Sequence, residues 1–196
     1  MDNIEILLSP LLKILNEIEP ISLELKDALI KSFKIQKTSK KTVLLNEGDV
    51  CDKLWFLADG LLRSYHEIDD KEITSRIMFT NHIVISPGSF FKQKPAIESI
   101  EALADSVVAI ISFENLQIIY KKFPHFNYHT RIIIEDYFYK QEQRLYMLRK
   151  KDALAKYKYF QENYSSYTDV IPQKYIASFL NIARETFVRM RKKYNH

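Results

Sequence analysis

The chain has 196 residues, of which 46% are apolar, 13% aromatic and 28% charged; that is enough apolar content to close a core and too much for a disordered tail. Three glycines and six prolines exclude collagen-like and low-complexity sequence, and a single cysteine, Cys51, excludes an internal disulfide and a multi-thiolate zinc or iron–sulfur site. The net charge of +4 hides an asymmetry: residues 1–139 carry 16 basic and 20 acidic side chains, whereas 140–196 carry 13 and 5. A basic end of this kind suits a polyanion such as nucleic acid, or is a solvated lysine-rich helix face.

No run of apolar residues is long enough to span a membrane. The start, Met1-Asp2-Asn3-Ile4-Glu5, is acidic where a signal peptide is basic. A cytoplasmic protein of one or two domains, with no membrane partner, is expected.

The first forty residues read as helices. Leu8, Leu11, Leu12 and Leu15 fall at helical spacing, Pro20 interrupts, and Ser22 is placed to cap a second helix that runs to Phe33 through Leu25 and Leu29. From Thr42 to about Ser112 short β-branched and aromatic runs alternate with turn signals. They are Val43–Leu45, Leu54–Leu57, Leu61–His66, Ile73–Phe79, Ile83–Ile85, Ile97–Leu103 and Val107–Ile111. Strands about ten residues apart without intervening helices predict an antiparallel sandwich or barrel. Gly48, Gly60 and Gly88 all lie here, each expected where the backbone needs positive φ or a close approach.

A helix from Phe113 ends at Pro124, and a long segment is expected from about Phe126 to Tyr164, of which Phe126 to Lys150 spans about 38 Å at 1.5 Å per residue. Ile134, Phe138, Gln141, Leu145 and Leu148 repeat at 4-3-4-3 spacing along it, a seam that pairs two copies of the chain or packs on its own domain.

The most specific signal is at the C-terminal end. Around a small residue, Ala177, stand Ile176, Leu180, Ile182, Phe187 and Met190 at the spacing of two short helices crossing closely, with Asn181 where the turn between them needs left-handed backbone. Pro172 fits the first turn of the first helix. Stripped of its buried residues, the second helix presents Arg184, Glu185, Thr186, Arg189, Arg191, Lys192 and Lys193. Arginine can bond guanine O6 and N7 together, and a carboxylate can accept from cytosine N4. Lys174, Lys192 and Lys193 suit phosphate contacts, which fix register, and Gln173 is a further DNA-binding candidate. The competing reading is an exposed helix braced by a Glu185–Arg189 pair worth about 0.3–0.5 kcal/mol.

On these residues the chain resembles the Crp/Fnr family of bacterial transcription regulators over essentially its whole length. Asn46-Glu47-Gly48-Asp49, Leu54-Trp55-Phe56-Leu57 and Asp59-Gly60-Leu61 look like its cyclic-nucleotide-binding β-roll signature, and Ile171–Lys193 is similar to its helix-turn-helix. Arg184-Glu185-Thr186 with Arg189 resembles, residue for residue, the run that reads bases in the best-known member of that family. The resemblance implies an α+β fold: an N-terminal antiparallel β-roll (a double-stranded β-helix or jelly-roll) with flanking helices over 1–123, a dimerisation helix over 124–150, and an all-α helix-turn-helix domain over 151–196. It implies a homodimer on double-stranded DNA, with RNA polymerase as a further partner.

Three departures stand out. The cassette that holds cyclic nucleotides carries a Gly-Glu pair for the ribose and an Arg-Ser pair for the phosphate; here those places hold Ile85-Ser86 and Ala96-Ile97. A buried phosphate without an arginine is uncompensated by several kcal/mol, so no cofactor and no cAMP binding by the usual cassette is expected. Either a different effector lodges near Ser89, Phe90 and Phe91, or the roll is filled. Ala183 stands where Ser or Thr would cap the second helix, which weakens that end by up to ~1 kcal/mol. The chain ends at His196, so no β-wing is expected after it. His66, His82, His125 and His129 show no ligand spacing, and the motifs of phosphate loops, GxSxG hydrolases and HExxH enzymes are missing, so no enzyme is expected. Glu98 and Glu101 are expected to be solvated strand residues. The alternative function is a small-molecule-sensing module whose C-terminal helices bind a protein partner.

Overall fold

The computed structural model describes residues 2–194. Met1 and the stretch after Tyr194, on which the expectations about a signal peptide and a wing partly rest, lie outside them. Helices α1 (Asp2–Ile18) and α2 (Leu23–Ser32) open the chain. Leu8, Leu11, Leu12 and Leu15 are buried as their spacing predicts, and the Ser22 hydroxyl accepts from the Leu25 amide at 3.1 Å. Pro10 sits inside α1 and has no amide hydrogen to give; the Ser9 hydroxyl bonds the Ile6 carbonyl at 2.8 Å in its place.

The helical reading of the first forty residues runs too far. Lys34–Thr38 is strand β1, paired with Ser106–Ile110 across the sheet. Its burial pattern is exposed at four of five positions, so hydrophobic alternation gives no sign of it and partnership alone makes it a strand. Seven more strands follow: β2 (Val43–Leu45), β3 (Lys53–Asp59), β4 (Leu61–Ile68), β5 (Lys71–Phe79), β6 (Ile83–Val84), β7 (Ser99–Ala102) and β8 (Ser106–Ser112). They form two antiparallel four-stranded sheets, ordered β1-β8-β3-β6 and β2-β7-β4-β5. Phe56, Leu57, Leu62, Ile100, Val108 and Ile111 fill the space between them. Gly48 and Gly60 have φ of +91° and +113°. Gly88 instead lies inside a short helix, α3 (Pro87–Lys92), where a Cβ would meet nothing within 4 Å, so the expectation of a special backbone there is not met.

Helix α4 (Phe113–Lys122), capped by Ser112, leads to α5 (Phe126–Arg149), 24 residues and about 36 Å long. α5 is tied to the end of α1 by a 2.8 Å bond between His129 Nε2 and the Glu19 carbonyl. Asp152 caps α6 (Ala153–Tyr164) through the amides of Leu154 and Ala155. A 3-10 turn (Ser165–Tyr167), α7 (Gln173–Phe179) and α8 (Arg184–Tyr194) complete the described chain. Pro172 stands just before α7 rather than in its first turn. Phe160, Ile176, Phe179, Leu180 and Phe187 make a second core that also takes Leu61, Ile77 and Leu103 from the outer face of the roll. Among the described residues no helix is long and apolar enough to cross a membrane.

Candidate functional site

The turn between α7 and α8 has the geometry its residues demand. Asn181 adopts φ +50°, the Ile182 amide bonds the Ala177 carbonyl at 3.0 Å, and the buried Lys156 ammonium reaches the Asn181 carbonyl at 3.2 Å. Ala177 is buried where α7 meets α8. Ala183 begins α8 by accepting the Phe187 amide at 3.1 Å; its methyl has no oxygen with which to hold the first-turn amides.

Arg184, Glu185, Arg189 and Lys192 line one open face of α8, around Val188. Arg184 and Arg189 are exposed, as is Glu185, whereas Thr186 is half-buried. No ion pair joins Glu185 to Arg189 among the described residues; the i,i+4 pairs found are Lys13–Glu17, Arg131–Glu135 and Lys140–Asp136. Arg191 differs from its neighbours: its guanidinium bonds Asp169 at 2.5 Å and is turned toward its own domain. Lys193 lies over the Tyr194 ring and Lys174 over the Tyr175 ring, at 5.1 and 4.6 Å, and Gln173 is half-buried at the start of α7.

On α5, Ile134, Phe138 and Leu145 are 40%, 70% and 51% exposed, while Gln141 and Leu148 are half-buried. Three large apolar side chains of the seam therefore face outward from this chain. Tyr139 and Tyr146, also exposed, flank them.

The effector-pocket residues expected to lie together are divided by the structure. Ser86, Ser89 and Ile97 line a polar cavity of about 340 Å³ between the roll, α3 and α5. Ile85, Phe90 and Phe91 line a separate apolar cavity, and Ala96 lines neither, its amide bonded to the Asp49 carbonyl at 2.8 Å. The Ser89 hydroxyl donates to the Lys94 carbonyl and accepts from the Cys51 amide at 2.8 Å, closing α3 onto the loop before β3. Burial pushes the neighbouring Cys51 thiol pKa up.

Two arginines that sequence reasoning did not single out, Arg76 and Arg144, line the polar cavity together with Glu98, Tyr137 and Gln141. Arg76 on β5 meets Glu98 at 2.6 Å, with the two side chains only 12% and 8% exposed. Glu98 is thus a buried ion-pair partner, not a solvated strand residue. Glu101 is corrected the same way: it meets Arg63 at 2.5 Å. Arg63 has no exposed surface; it also pairs with Glu72 and lies between the rings of Tyr65 and Tyr175, 4.2 and 3.7 Å away. Arg144 lies 4.5 Å over the Phe179 ring, its Nε buried with no partner among the described residues, and burial lowers its pKa. Arginine therefore does reach this polar cavity, but from β5 and α5 and not from the places of Ala96 and Ile97.

Residues 35–123 match the cyclic nucleotide-binding domain family. Solved structures match nearly the whole chain. The c-di-GMP-responsive global regulator CLP of Xanthomonas campestris is 15% identical over 89% of this chain and 92% of its own, with a TM-score of 0.69. FixK2 of Bradyrhizobium japonicum is 13% identical over 83% and 84%, with a TM-score of 0.74. A protein of Eubacterium rectale assigned to the crp/fnr family of transcriptional regulators is 23% identical over 89% and 84%, with a TM-score of 0.66. The chain has the Crp/Fnr fold. Comparison with curated proteins gives no significant match. Within the Crp/Fnr fold the polar cavity occupies the inside of the roll beside α5, and α8 stands clear of both cores except through Phe187 and Met190.

Proposed function

We propose that this protein is a sequence-specific DNA-binding transcriptional regulator of the Crp/Fnr type, with a sensor over 1–123, a pairing helix over 124–150 and a DNA reader over 151–196. The open face of α8, with Arg184, Glu185, Arg189 and Lys192 side by side and no ion pair among the described residues closing it, carries the reading. Arg184, Glu185 and Arg189 read base edges in the major groove, with Thr186 at their margin; Lys192, Lys193, Gln173 and Lys174 hold phosphates. Arg191 positions α8 through Asp169. The outward Ile134, Phe138 and Leu145 support a homodimer along α5, which sets two α8 helices about 34 Å apart for successive major grooves.

The polar cavity supports a sensor whose chemistry departs from the usual cassette. A cyclic phosphate entering it meets Arg76 already neutralised by Glu98 at 2.6 Å, and desolvating a second anion beside Glu98 is unfavourable. Tyr137, Gln141 and Arg144 reach the cavity from α5, so an effector there bears on the pairing helix, and through Arg144 on the end of α7. Millimolar cAMP is expected to leave the thermal midpoint unchanged.

Selection of bound duplexes from a random library tests the reading. Recovered sequences are expected to be palindromic with half-site centres about 10 base pairs apart, and log affinity to fall linearly with log salt at about −0.9 per phosphate contacted. Recovery of unpatterned sequences, or affinity indifferent to salt, favours a protein partner for α7 and α8 instead.

A further inference from the structure

A second cavity, of about 130 Å³, lies where β3, β5, β6 and β8 meet α1, α2, α3, α4 and the first half of α5. Interiors are packed to crystal-like density, with few voids larger than a water, and an apolar cavity of about 150 Å³ admits a benzene molecule. Its walls are almost wholly hydrocarbon: Leu11, Leu29, Leu116, Phe90 and Ile133 among them. The hydroxyls present turn inward on the protein, Thr130 Oγ1 meeting the Tyr120 hydroxyl at 3.2 Å. Arg76, Pro87 and Tyr137 line both this cavity and the polar one. The Arg76 guanidinium is engaged by the Ser64 hydroxyl, the Ile85 carbonyl and the Glu98 carboxylate.

We propose that this apolar cavity is a binding site for a small neutral molecule of the bulk of one aromatic ring, distinct from the polar cavity of the roll. The walls offer dispersion contacts and no uncompensated cation for a carboxylate or phosphate, so charge is disfavoured while apolar bulk is accepted. Ile133, Ile134 and Tyr137 of α5 belong to the wall, and Ile134 is at the same time 40% exposed on the outward seam. A guest there touches the pairing helix directly. The site is independent of whether α8 reads DNA.

The test is titration of the full-length protein, with isotope-labelled Leu and Ile methyl groups, by toluene and, separately, by benzoate. Toluene is expected to shift the methyl resonances of Leu11, Leu29, Leu116 and Ile133 saturably, and benzoate to bind at least tenfold more weakly. Leu29→Trp fills the space and is expected to weaken toluene binding at least tenfold. Leu116→Phe, which adds less bulk, serves where the larger change prevents folding, as circular dichroism would show. Absence of saturable shifts up to the solubility limit of toluene overturns the proposal. So does equal binding of benzoate, or undiminished toluene binding in whichever filled variant folds.

Discussion

Gly60 turns β3 into β4 with φ of +113°, and a Cβ built there would stand 2.2 Å from the Ser106 hydroxyl oxygen. That hydroxyl accepts the Leu61 amide at 3.2 Å and donates to the Ala104 carbonyl at 2.8 Å, so it cannot withdraw without releasing the hairpin. Gly60→Ala is expected to destabilise by at least ~1–3 kcal/mol from backbone strain alone, read as a lower urea midpoint; an unchanged midpoint contradicts the geometry. Arg63 makes a second residue-scale case. It is fully buried between two carboxylates and two tyrosine rings, and removing one member of a buried pair leaves its partner uncompensated. Arg63→Ala is expected to lose ~3–5 kcal/mol. Asn181, by contrast, was readable directly: its φ of +50° is the reason an asparagine stands in that turn.

At the scale of elements, α7 is held against β5 by the Thr74 amide bonding the Ser178 hydroxyl at 2.9 Å, and by Tyr175 stacking on Arg63. Near the same border Phe79 stacks on Tyr167, with centroids 4.6 Å apart, and packs at a tilt on His82 at 3.9 Å. Burial, with help from the charge of Lys140, lowers the His82 pKa to about 4. The folded state thus favours neutral imidazole, and unfolded chains take up the proton first as pH falls below about 6.5. Stability is full above that pH and is lost as pH falls from about 6.5 toward 4, by up to ~3 kcal/mol at the usual 1.36 kcal/mol per pKa unit. His82→Gln is expected to flatten the thermal midpoint between pH 7 and 5, and an equally steep decline in the variant contradicts this assignment. Helix spacing and one cap made α1 and α2 legible, because Leu8 to Leu15 and Ser22 act within their own helices. Strand β1 was not, since its residues are exposed and only β8 makes it a strand. The cavity arginines were partly legible: Arg76 lies two residues before buried Met78 on β5 and so shares its inward face. Pairing with Glu98 is a contact across the roll that no local pattern encodes.

For the molecule as a whole, 24 residues of α5 link a roll to a basic pair of helices and leave Phe138 and Leu145 bare. Fully burying one such side chain contributes about 1.5–3 kcal/mol, so Phe138→Glu is expected to shift the protein from dimer to monomer in sedimentation; a retained dimer places the interface elsewhere. The charge asymmetry pointed to a nucleic-acid end, and the structure presents four of the nine candidate residues together on one open face of α8 while turning Arg191 away. The most direct measurement compares Arg184→Ala and Lys192→Ala on a selected palindromic duplex and on random duplex at fixed salt. Arg184→Ala is expected to lose about 1–3 kcal/mol on the palindrome and little on random DNA, whereas Lys192→Ala weakens both alike. Equal losses on the two duplexes for Arg184→Ala would contradict base reading by α8.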